Sequence, residues 1–131
     1  MAQDEAIDLT GIKVMFVDDS KTLRSTAELL LNKVGCEVIT ACDGFEALTQ
    51  IVDHEPDIIF LDIMMPRLDG YNTCALIKGN PDFVKTPVIL LSSKAGLFDK
   101  ARGRSEGADE YMTKPFTRDE LMEVIKRHVL D

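Results

Sequence analysis

Four short apolar runs in this chain each end in polar groups. Val14–Val17 leads into Asp18-Asp19-Ser20, and Ile58–Leu61 into Asp62. Val88–Leu91 leads into Ser92-Ser93-Lys94, and Tyr111-Met112-Thr113 into Lys114-Pro115. Runs this short, rich in β-branched and aromatic residues, read as strands. Two of them, 58–61 and 88–91, are apolar at every position, as a strand covered on both faces should be. With a further β-branched stretch at Glu37–Ala41, the pattern predicts strands at about 13–17, 37–41, 58–61, 88–91 and 110–113.

The segments between them carry helical spacing. Leu23, Ala27, Leu30, Leu31 and Val34 recur on one stripe behind Ser20, a capping residue, and Gly35 supplies a stop. Phe45, Ala47, Leu48, Ile51 and Val52 mark a second helix over Gly44–Val52, and Pro56 closes that region. Asp69-Gly70 reads as a turn before a third helix at about 71–78, and a weaker fourth covers about 97–105. Thr117 and Glu120 fit a capping box at the start of a last helix, 118–129, with Leu121, Val124, Ile125 and His128 on one face. The result is an α/β chain of five βα units. Such alternation implies one doubly wound parallel sheet with right-handed crossovers and helices on both faces. Ligands bind such sheets beyond the carboxyl ends of the strands, where strand order reverses. The polar strand ends fall there.

Length and composition narrow the reading. The chain has 131 residues, room for one domain, with 1–11 a polar, loosely ordered lead-in and 12–131 the folded unit. The longest apolar run is far below the ~20 residues that span a bilayer, and the start has no signal-peptide pattern, so the cytoplasm is the default location and no membrane association is expected. A net charge of −8 argues against nucleic-acid binding, which rests on Lys and Arg neutralising phosphates. Three cysteines, Cys36, Cys42 and Cys74, lack the spacing of a zinc site or a disulfide framework and read as small buried thiols.

Asp18 and Asp19 can serve as an acidic pair favouring the helix that follows. A third carboxylate, Asp62, at a neighbouring strand end points instead to a metal site. Clustered carboxylates repel, and a hard divalent cation relieves that repulsion. Mg2+ suits the set because it takes one or two carboxylates, keeps waters and bridges to phosphate oxygens. A carboxylate that attacks phosphorus becomes an aspartyl-phosphate, and the transfer needs positioning and charge neutralisation more than acid–base help. Asp62 is then the candidate nucleophile, with Lys114 opposite the metal and the Ser92 hydroxyl as a donor to a phosphoryl oxygen. Tyr111 is either a half-buried edge aromatic or a rotamer switch. A phosphatase with an aspartate nucleophile would need an acid/base carboxylate two residues on, where this chain has Met64. A flavin carrier would need a glycine- and hydroxyl-rich loop after the first strand, where this chain has Asp18-Asp19-Ser20-Lys21.

In combination, Val17-Asp18-Asp19-Ser20, Leu61-Asp62-Ile63-Met64-Met65-Pro66, Asp69-Gly70, Ser92-Ser93-Lys94 and Tyr111-Met112-Thr113-Lys114-Pro115-Phe116 resemble the CheY-like receiver domain of two-component response regulators over residues 12–130. The resemblance implies strand order 2-1-3-4-5, Asp62 as phosphoacceptor from a sensor histidine kinase of the CheA-like kind, and Mg2+ held by Asp19, Asp62 and the Met64 backbone carbonyl, with Asp18 acting through water. It implies Ser92 and Lys114 on the phosphoryl group, Ser92 and Tyr111 as the switch pair, and a downstream effector on the face of helix 4, strand 5 and helix 5. Met64–Tyr71 and Ser92–Ala101 bring the chain nearer to stand-alone regulators of type IV pilus twitching motility. Read as it stands, the chain ends without an output domain, so its signal would leave through a partner. Lys94, Lys100, Arg102 and Arg104 would make that face locally basic and suited to an acidic partner.

Overall fold

In the computed structural model, which describes residues 8–93 and 97–130, each apolar run of the sequence is a strand of one sheet. The strands are β1 (Lys13–Val17), β2 (Glu37–Ala41), β3 (Ile58–Asp62), β4 (Val88–Ser92) and β5 (Glu110–Thr113). All are parallel and lie in the order β2-β1-β3-β4-β5. The helices are α1 (Lys21–Asn32), α2 (Gly44–His54), α3 (Gly70–Lys78), α4 (Leu97–Ser105) and α5 (Arg118–Ile125), the last running on as a π-helical turn over Lys126–Leu130. The doubly wound α/β architecture expected from the alternation is the one found.

The sheet separates two apolar layers. Phe16, Phe60, Ile89 and Leu91 pack with Ala27 and Leu31 of α1 and Leu121, Val124 and Ile125 of α5. Phe16 meets Phe60 and, edge-on at 5.9 Å, Phe116. On the other face Met15, Ile59, Leu61 and Leu90 pack with Ala47 and Ile51 of α2 and Tyr71, Cys74 and Ile77 of α3. Every residue of β3 and β4 is buried. This explains why those two runs carry no polar position until Asp62 and Ser92.

Capping sets where the helices begin. Ser20, Asp43, Asp69 and Thr117 each accept a backbone N–H three residues on, and Thr117 with Glu120 completes the capping box. Asp69-Gly70 is therefore the start of α3 rather than a turn ahead of it. α1 stops at Asn32, two residues short of Val34, because Lys33–Gly35 turns to bring the chain into β2 with Gly35 at φ 98°. α2 runs on to His54 and ends on Glu55, whose φ of 48° is left-handed.

The lead-in differs from expectation in the part that is described. Leu9 is fully buried in the α1/α5 layer, and its N–H bonds the Val34 carbonyl at 3.2 Å. Asp8 to Gly11 is thus docked by an apolar anchor, and residues 1–7 lie outside the described residues. The cysteines also divide. Cys36 and Cys74 are buried, and burial lifts both thiols to about 11, but Cys42 at the end of β2 is exposed, contrary to expectation. No helix among the described residues is long and apolar enough to cross a membrane.

Candidate functional site

The order β2-β1-β3 places the carboxyl ends of β1 and β3 side by side, at the point where the chain changes direction across the sheet. Val17 pairs with Leu61, so Asp18 and Asp62 leave neighbouring strands at the same level. One carboxylate oxygen each from Asp18, Asp19 and Asp62 lies within 4.8 Å of the others. Asp18 and Asp62 are buried, and Asp19 is exposed at the rim. Lys114, on the loop after β5, reaches across from the far side. Its Nζ lies 3.2 Å from both Asp18 Oδ2 and Asp62 Oδ1. The Lys114–Pro115 peptide bond is cis. Three strand ends far apart in sequence thus converge on one spot.

The division of labour among the carboxylates follows from their partners. Both oxygens of Asp18 are engaged, Oδ1 by the Ser20 N–H at 2.9 Å and Oδ2 by Lys114. Asp62 accepts from the Met64 N–H at 3.3 Å and from Lys114, both on Oδ1. Among the described residues no donor reaches Asp62 Oδ2, which is left to react or to bind. Burial pushes the Asp62 carboxyl above the ordinary carboxylate range, and the Asp18 charge adds to this, against the pull of Lys114 and the Met64 N–H. For Lys114, burial opposes the charge, but Asp62 and Asp18 outweigh it and hold the ammonium above its ordinary value. Three carboxylates thus face one ammonium. An all-oxygen donor set with residual negative charge is what a small hard cation takes up, so the residues present fit Mg2+.

Ser92 closes β4 and is buried, with its carbonyl accepting the Lys114 N–H at 2.6 Å, so β4 positions the lysine loop directly. Tyr111 is half-buried on β5 and borders two grooves, one toward α4 and one toward α5. The Met64 side chain is exposed beside the site. Of the basic residues expected on one face, Lys94 lies outside the described residues. Lys100 and Arg104 line the groove with Tyr111 but share it with Asp109 and Glu110. Arg102 turns elsewhere, its guanidinium 4.3 Å over the Tyr71 ring.

Three supporting residues escaped sequence reasoning. Arg24 of α1 donates to the Asp18 carbonyl at 2.7 Å and ties the β1–α1 loop down. Arg67, with a left-handed φ of 67°, lies over Phe45 and pairs with Asp43 at 2.6 Å. His128, placed by its spacing on one face of the last helix with no partner assigned, meets Glu110 at 2.7 Å beside an Arg127–Glu110 pair at 2.6 Å. An arginine one helical turn inside α1, on the side facing the acidic loop, is a signal that could have found Arg24.

The fold and this cluster define a class. The chain belongs to the response regulator receiver domain family, whose model matches residues 14–126. Among curated proteins it is 68% identical over 119 residues to Protein PilG of Pseudomonas aeruginosa, covering 91% of this chain and 88% of that one. It is 43% identical over 116 residues to the probable transcriptional regulator ycf27 of Guillardia theta, covering 88% of this chain but only 44% of that longer protein. Among solved structures, the chemotaxis protein CheY4 of Vibrio cholerae superposes with a TM-score of 0.86 at 31% identity, covering 89% of this chain and 98% of that one.

Proposed function

We propose that this receiver domain is the phosphoacceptor of a two-component relay and that Asp62 carries the phosphoryl group. The observation that carries the reading is the Asp62 carboxylate: buried, held on Oδ1 by Lys114 and the Met64 N–H, with Oδ2 free of described donors and two further carboxylates close by. Asp62 attacks the phosphorus of a phosphohistidine on a histidine kinase. A bond forms between the carboxylate oxygen and phosphorus as the P–N bond breaks, and the electron pair leaves with the imidazole nitrogen, which takes up a proton. Asp19, Asp62 and the Met64 carbonyl would hold Mg2+, with Asp18 orienting it through water. Bound there, the cation supplies positive charge to the phosphoryl oxygens. Lys114 neutralises the opposite side, and the Ser92 hydroxyl donates to a phosphoryl oxygen.

The catalysis is limited to the domain's own phosphorylation and dephosphorylation. Added charge at Asp62 draws in Ser92 and favours an inward Tyr111, shifting the population of a surface made by α4, β5 and α5 that an effector protein reads. Likeness to PilG supports a role in type IV pilus twitching motility or related chemotaxis-like signalling, in the cytoplasm, as our reading. The test is incubation with phosphoramidate and Mg2+ followed by intact mass. One added phosphate is expected, absent when chelator is present from the start and absent in Asp62→Asn. A phosphate retained by Asp62→Asn overturns the assignment.

A further inference from the structure

An open groove of about 520 Å3 adjoins the acidic cluster. It is lined by Asp19, by Ile63 and Met64, the residues next to Asp62, and by Asp69, Tyr71 and Arg102 among others. Water occupies ~30 Å3 per molecule in the liquid, so this space holds far more than a phosphoryl group and leaves room for the rest of a phosphodonor. Arg102 is the one cation among the described residues that line it.

The guanidinium is held there with its charge largely unspent. It stacks on the Tyr71 ring at 4.3 Å, and Tyr71 is buried at the start of α3, so the platform is rigid. Its ion-pair partner, Glu106, stands 4.0 Å away just past the end of α4, with both side chains part-exposed, a spacing and exposure at which pairing contributes little. Gly103, the next residue, packs where a Cβ would come within 2.9 Å of Leu90, which keeps α4 close to the sheet and Arg102 close to Tyr71. Of the groove's two carboxylates, Asp19 belongs to the acidic cluster, and Asp69 is engaged as the cap of α3, accepting the Asn72 N–H.

Donors differ in the charge of what they leave behind. When Asp62 displaces the carboxyl group of an acyl phosphate, the P–O bond breaks and its electron pair departs on a carboxylate, a full negative charge. When it displaces nitrogen from phosphoramidate, the P–N bond breaks and neutral ammonia departs. A fixed cation along the exit path acts on the first and not on the second, because only interactions that strengthen as charge develops speed the step.

We propose that Arg102, seated on Tyr71, is a specificity-determining residue that draws in and holds the anionic remainder of small acyl-phosphate donors. This rests on Asp62 being the phosphoacceptor. The test compares acetyl phosphate with phosphoramidate on the whole chain with Mg2+ at fixed ionic strength, reading initial rates of single-phosphate gain by intact mass across donor concentration. Arg102→Gln is expected to lower the acetyl phosphate rate constant about three- to fivefold, the scale of one part-exposed charge contact, and to leave the phosphoramidate rate unchanged. Arg102→Lys recovers most of the loss, and Arg104→Gln, on the same helix but facing the other groove, changes neither rate. Equal slowing with both donors, or no change with either, overturns the proposal while the phosphoacceptor reading stands. No phosphate on the unaltered protein from either donor overturns that reading and this one with it.

Discussion

Gly70 bears on the site more than its position suggests, and Gly70→Ala tests how tightly the fold fixes Asp62. Gly70 opens α3, and a Cβ built on it would overlap the Asp62 carbonyl and come within 2.7 Å of the Ile63 Cα. Both neighbours are backbone, so neither can swing aside. Reaching ordinary contact requires the chain after β3 to move by several tenths of an ångström. Alanine gains up to ~1 kcal/mol in helix propensity. Overpacking against a fixed wall costs about 1–3 kcal/mol, and backbone on two sides puts this case at the upper end. The net expectation is a loss of about 1–2 kcal/mol, roughly 4–8 °C in Tm for a chain of this size. The displacement falls on Asp62, the nucleophile of the proposed reaction. Misplacement by 1 Å can cost ~10²-fold in rate, so a shift of this size should slow phosphoramidate phosphorylation about tenfold. The assays are thermal unfolding and intact-mass kinetics. Gly79→Ala serves as control, since the nearest atom there is an α3 carbonyl at 3.2 Å. A Gly70→Ala protein as stable as the parent and equally reactive would refute the reasoning.

Three further outcomes follow from the same geometry. Because burial and Asp18 raise the Asp62 pKa in the folded state, the metal-free fold holds that proton more tightly than the unfolded chain, and its stability falls as pH rises through the folded pKa. Asp62→Asn should therefore raise the unfolding free energy in chelator at pH 7 by on the order of 1 kcal/mol, with the advantage vanishing below the ordinary value of 3.8 and shrinking when Mg2+ is added; a variant less stable than its parent at pH 7 would contradict this. At Glu110 burial pushes the carboxyl up, but bonds from His128 and Arg127 hold it below its ordinary 4.5, so the stability it contributes is present above 4.5 and lost as pH falls through the lower folded value. Glu110→Gln should cost less than about 1 kcal/mol at neutral pH, after solvent screening, and less at pH 3 than at neutral pH, checked by denaturant midpoints at both. Met64 is exposed two residues after Asp62; on the reading that Asp62 carries the phosphoryl group and this side chain shields it from an attacking water, Met64→Asn should shorten the lifetime of the phosphorylated form several-fold in a time course with Mg2+ present.

The fold was legible because its signals are local and mutually consistent. β3 and β4 are apolar throughout since helices cover both faces, and that pattern alone marks them as central strands. The boundaries that moved did so for reasons of hydrogen bonding. A cap such as Asp43 or Asp69 looks in sequence like any loop aspartate, and only its bond to the third residue on marks it as a helix start. Leu9 is a single apolar residue in a polar stretch, too isolated for any periodicity to register, yet it is fully buried in the apolar layer with α1 and α5.

The site divides along a similar line. Asp18, Asp19, Asp62, Ser92 and Lys114 could be picked out because each follows an apolar strand, and a parallel sheet must bring such residues to one edge. What linear order does not carry is how the remaining partners are distributed around that edge. Lys114 bonds two carboxylates rather than one, Ser20 takes an oxygen of Asp18, and Arg24 holds the loop from a helix that sequence reading assigned only to packing. Arg102 shows the limit most plainly. By composition it belongs with Lys100 and Arg104 in one basic patch on α4. One residue's difference in helical phase from Gly103 turns it onto Tyr71 and into a separate groove that begins at the acidic cluster. Charge on a helix acquires meaning from the neighbour it faces, and here that neighbour is an aromatic ring fixed by α3, so a residue that reads as part of an output surface lies instead in the groove it shares with Asp19, Ile63 and Met64.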